Sequence, residues 1–89
     1  MPTCQLTISN EEGLHARPAA KFVKLANHFP CEIWVEKDDE EINGKSIMGL
    51  MMLAAAKGSV ISVSAEGEEA ETALEKLTEL VDSGFEIDV

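Results

Sequence analysis

Basic residues are scarce: the 89-residue sequence holds seven lysines and arginines against seventeen aspartates and glutamates, a formal charge of -10. Over a Debye length of about 8 Å, that charge repels nucleic-acid phosphates and anionic membrane surfaces, so neither is expected as a partner. It also favours a soluble monomer. Cysteine is equally sparse. Cys4 and Cys31 lack the paired spacing of a zinc site, and because Met1 to Asn10 does not read as a secretory leader, free thiols are expected rather than a disulfide. His15 and His28 have no carboxylate at ligand spacing, so no metal centre is expected. Met1 to Asn10 shows no basic start followed by an apolar run, and no segment has the apolar length of a membrane span. No repeat, linker or low-complexity segment interrupts the chain. With 45% hydrophobic residues it is expected to form one domain over residues 1–89, cytoplasmic and without membrane insertion.

What is present is a run of short periodic segments. Cys4, Leu6 and Ile8 alternate with Gln5, Thr7 and Ser9, the period of a half-buried strand that Asn10 to Gly13 then breaks. From Ala16 the period changes. Ala19, Phe22, Val23 and Ala26 form the apolar stripe of a helix ending near Asn27. Glu32 to Glu36 alternates again, Lys37 to Glu40 reads as a charged turn, and Glu41 to Asn43 as a short edge strand. Ile47 to Ala56 is apolar on nearly every side, with Ser46 before it and Gly58 after it, and is expected to be a short helix capped by Ser46. Val60 to Ala65 predicts a strand. Ala70, Ala73, Leu74, Leu77, Leu80 and Val81 predict a final helix up to Gly84. The order strand, helix, strand, strand, helix, strand, helix suits a two-layer α+β sandwich, with Trp34, Thr7 and Ser62 on the open side of its sheet.

The chemistry concentrates in Gly13-Leu14-His15-Ala16-Arg17-Pro18-Ala19. His15, as N-cap or its neighbour, would lie over the unpaired N–H groups of the first helical turn, which bind oxyanions. Pro18 costs little there, because the N–H it lacks would have had no helical partner. A neutral imidazole, with a reference pKa of about 6.5, attacks phosphorus without a separate base. Arg17, Lys21 and Lys24 recur at helical spacing and offer one cationic stripe for the charge that results. A lone histidine at a helix start is more often a cap or a surface residue. That bland reading, however, predicts neither the stripe nor the proline.

The run from Gly13 to Ala20 closely resembles the active-site signature of the HPr family, histidine-containing phosphocarriers of the bacterial phosphoenolpyruvate-dependent phosphotransferase system. Asn43-Gly44-Lys45-Ser46-Ile47-Met48-Gly49-Leu50 resembles the family's regulatory-serine motif, and length and element order match as well. The resemblance implies that enzyme I phosphorylates His15 on Nδ1, that Arg17 is the phosphate partner, and that the group passes to an enzyme II-type acceptor. No cofactor is implied, and the chain would be a carrier and not an enzyme. The implied fold is an open-faced sandwich, an antiparallel sheet of order 1-4-2-3 covered on one side by three helices. That order would hold Cys4 and Cys31 about 10 Å apart, beyond disulfide reach. Ser46 would be a target of HPr kinase. Ile47, Met48 and Met51 would dock partners, since the second helix carries more apolar side chains than one buried stripe can use.

Two other readings stay open at this point. Asp82-Ser83-Gly84-Phe85 looks more like the nitrogen-related paralogue of the family, which keeps the histidine signature and has a regulatory output, whereas Lys45 to Met48 favours the sugar branch. A metal chaperone or ligand-sensing module would need a Cys-x-x-Cys or ligand-gathering loop, and none is present. A self-contained enzyme would need an acid/base partner for His15.

Overall fold

Alternation puts Leu6 and Ile8, Ile33 and Val35, and Ile61, Val63 and Ala65 on one side of a sheet, and all seven are buried. The computed structural model describes residues 1–89. Its elements are β1 (Thr3–Thr7), α1 (Ala16–Ala26), β2 (Glu32–Lys37), β3 (Glu40–Asn43), α2 (Ile47–Met52), β4 (Val60–Glu66) and α3 (Ala70–Asp82). All strand pairs are antiparallel, in the order β1-β4-β2-β3. Twenty-four buried residues form one cluster between the sheet and the helices. Phe22 on α1, Leu50 on α2, and Leu77, Leu80 and Val81 on α3 are at most 0% exposed within it. Thr7 is exposed, and Trp34 and Ser62 are half-buried on the uncovered face. The expected α+β open-faced sandwich and its strand order are therefore present. No helix is long and apolar enough to cross a membrane.

The β2–β3 hairpin is tighter than the sequence suggests. Lys37 and Glu40 pair across the ladder, and only Asp38 and Asp39 turn the chain, both at positive φ (52° and 68°). Two successive left-handed residues match the right-handed twist of the flanking strands, and aspartate tolerates that conformation better than most side chains.

The second helix is shorter than its apolar pattern predicts. It ends at Met52 rather than Ala56, with Leu53 as C-cap and Ala54 in the left-handed region at φ 51°. Leu53 and Ala55 are both buried. Continued helix would have turned them about 200° apart and sent one to solvent, so the backbone unwinds and both reach the core. Ser46 is the N-cap as expected, its Oγ accepting the Gly49 N–H at 3.0 Å. Ser46→Ala should cost about 1 kcal/mol, read as a lower urea midpoint; an unchanged midpoint would show that the cap contributes nothing.

Cys4 and Cys31 are free thiols, the first half-buried with its Sγ 3.6 Å from Thr78 Oγ1, the second buried. Strand β4 separates β1 from β2.

Candidate functional site

His15 is the N-cap of α1, with extended backbone (φ -76°, ψ -175°), and its side chain makes no capping hydrogen bond. A histidine in this position leaves the work of capping undone. Its carbonyl accepts the Ala19 N–H at 2.9 Å, closing the first turn. Pro18 sits in that turn without an N–H, and the amides of Ala16 and Arg17 find no acceptor in the chain. The imidazole is exposed, and no acidic side chain of the first turn competes for those two donors. Positive helix end, free amides and an unengaged ring thus converge on one point of the surface.

Backbone contacts of the preceding loop fix where His15 enters the helix. Gly13 adopts φ +69°, and a Cβ there would lie 2.4 Å from the Ala55 carbonyl oxygen, so only glycine lets the loop pass. Leu14 is buried and its N–H donates to that same carbonyl at 2.9 Å. Asn10 Nδ2 donates to the Gly13 carbonyl at 2.9 Å and closes the turn from the other side. Lys57 bridges to Glu11 at 2.7 Å, and this hydrogen bond and its charge hold the Glu11 carboxyl below the ordinary carboxylate range. The segment that follows α2 is therefore the wall against which the His15 loop is built.

Between them lies an open cleft of about 710 Å³ lined by Glu12, His15, Arg17, Pro18, Met51 and Ala54 to Ala56. Arg17 is exposed beside His15 and forms no ion pair. The cationic stripe is only partly available. Lys21 is half-buried and gives its ammonium to the carbonyls of Phe85 (2.8 Å) and Ile87 (3.4 Å), fastening the C-terminal segment, while Lys24 lies nearly two turns along α1 from Arg17. Arg17 alone of the three lines the cleft. His28 is exposed just beyond the opposite end of α1, away from His15.

On the far side of the cleft, α2 turns Gly49 and Leu50 inward and leaves Ile47, Met48, Met51 and Met52 40–75% exposed. Met51 joins this apolar surface to the His15 cleft. Ser46 stands at the start of the same helix, half-buried.

A protein-family model described as the PTS HPr component phosphorylation site matches residues 2–83. The chain belongs to the HPr family. The phosphocarrier protein HPr of Neisseria meningitidis serogroup A is 50% identical over 80 residues, 90% of each chain. That of Pseudomonas aeruginosa is 47% identical over 87 residues, 97% of each. The crystal structure of HPr-C-His from Thermoanaerobacter tengcongensis superposes with a TM-score of 0.94 at 46% identity, covering all of both chains. This HPr-family protein is a phosphocarrier of the phosphotransferase system, and its partners are components of that system.

Two parts of the cleft in this HPr-family chain were not legible in the sequence. Glu12 lines the cleft, yet in the sequence it falls within the Asn10 to Gly13 break after the first strand, where no periodicity assigns it a side. Ala54 to Ala56 form the wall, although their composition favours helix. The run of small residues ahead of Gly58 was the available signal for close backbone approach.

Proposed function

We propose that His15 is the phosphoryl acceptor of this carrier, taking the group on Nδ1 from phosphorylated enzyme I and releasing it to an enzyme II-type protein. The observation that carries this reading is the unengaged, exposed imidazole at the N-cap of α1 beside two free amides and Arg17. A neutral ring nitrogen attacks phosphorus as the bond to the donor breaks, and the transferred group brings roughly two negative charges. Arg17 and the amides stabilise that charge without enclosing it, so the group remains open to the next nucleophile. The openness of the cleft, which encloses no substrate around the ring, fits a carrier that borrows catalysis from its partners. Incubation with enzyme I and labelled phosphoenolpyruvate, followed by peptide mapping, should place an acid-labile label on His15; label on His28 would refute the assignment.

Ile47, Met48 and Met51 form the docking surface on this reading. They are exposed, contiguous with the cleft through Met51, and of a type that adapts to several partners in turn. Ser46 adds regulation. Phosphorylation by an HPr kinase would replace its capping hydroxyl with a group of about two negative charges at the edge of that apolar surface, disfavouring apolar docking. With ATP and such a kinase, label should enter the protein and be lost in Ser46→Ala; label retained by that variant would place the modification elsewhere.

A further inference from the structure

Glu12 is the only carboxylate lining the cleft that holds His15 and Arg17. It also lines the small adjoining cleft with Arg17 and Lys21. Its charge is not matched locally. Glu11 next to it is bridged by Lys57, and Lys21 is committed to the carbonyls of Phe85 and Ile87, while Glu12 itself makes no ion pair or side-chain hydrogen bond. The two cleft charges of opposite sign, Glu12 and Arg17, are left apart and both exposed.

A fixed negative charge matters here only when the other occupant changes charge. During uptake a bond forms between the imidazole nitrogen and phosphorus while the bond from phosphorus to the donor breaks, and roughly two negative charges enter the cleft. An ionised Glu12 repels that product and has no comparable effect on the neutral imidazole, so it acts on one side of the equilibrium only. We propose that Glu12 raises the transfer potential of the phosphorylated carrier, opposing Arg17 so that the group is held less firmly than the cations alone would hold it. This rests on His15 being the acceptor. Glu12 touches no bond that forms or breaks; its role is to set the electrostatic level from which the group departs.

The test is the equilibrium between phosphorylated enzyme I and the carrier, measured as the labelled fraction of each. Glu12→Gln should shift it toward the phosphorylated carrier by about threefold at low ionic strength, as expected for screened charges at a surface. The shift should vanish near 1 M salt, where the Debye length is about 3 Å. Glu32→Gln, which removes the same charge where β2 begins beyond the opposite end of α1, should leave the equilibrium unchanged. No shift in Glu12→Gln, an equal shift in Glu32→Gln, or a shift insensitive to salt would overturn the proposal. Failure of the underlying reading has a different signature: His15→Ala would then still take up label, whatever Glu12 does.

Discussion

His15→Ala is expected to lose phosphoryl uptake from enzyme I completely while keeping the fold. On the proposed reading the loss is total, since the variant lacks the ring nitrogen that would form the bond to phosphorus and the remaining site would bind an anion without offering it a nucleophile. The fold survives because the ring is exposed and caps nothing; an exposed substitution of this kind stays within about 0.5 kcal/mol. Labelling from phosphoenolpyruvate and a urea melt on the same preparation separate the two effects. His28→Ala, beyond the far end of α1, should label normally. Sustained acid-labile labelling of His15→Ala would refute the acceptor assignment.

Gly13→Ala is expected to be the most damaging small substitution in the site. Two effects add. Residue 13 is left-handed at φ +69°, and the new Cβ would meet the Ala55 oxygen at 2.4 Å and the Ala56 Cα at 3.0 Å, both backbone atoms that cannot rotate away. Left-handed strain and overpacking together come to roughly 2–4 kcal/mol, which in a chain of this size lowers Tm by about 10–25 °C. The collision also pushes apart the His15 loop and the segment after α2, the two walls of the cleft. Phosphoryl transfer should therefore fall even well below the new Tm, where the protein is folded. A variant with unchanged Tm and full transfer would show that the loop has slack that its geometry does not reveal.

The same contact explains what could and could not be read in advance. Strand alternation and the α1 and α3 stripes are local patterns: each residue's side follows from its position in a repeat, and the buried residues of those elements match. His15 at a helix entrance was equally legible, because Pro18 and the change of period mark the helix start. The end of α2 was not. Ala54 to Ala56 are good helix formers, and what stops the helix is the demand that Leu53 and Ala55 both be buried and that the Ala55 carbonyl serve Leu14, forty-one residues earlier in the chain. Lys21 tells the same story. Its spacing places it with Arg17, but two carbonyls of the C-terminal segment draw it away.

The sequence by itself determined the order of the elements, the buried faces of the strands and of α1 and α3, and the histidine at the mouth of the first helix, because periodicity and capping act over a few neighbouring residues. Tertiary structure alone decided which charges share the cleft of His15. Glu12 enters it while Lys21 turns away, and the wall opposite comes from residues 54–56. Those choices depend on carbonyls and backbone brought together across the fold, and no local pattern encodes them.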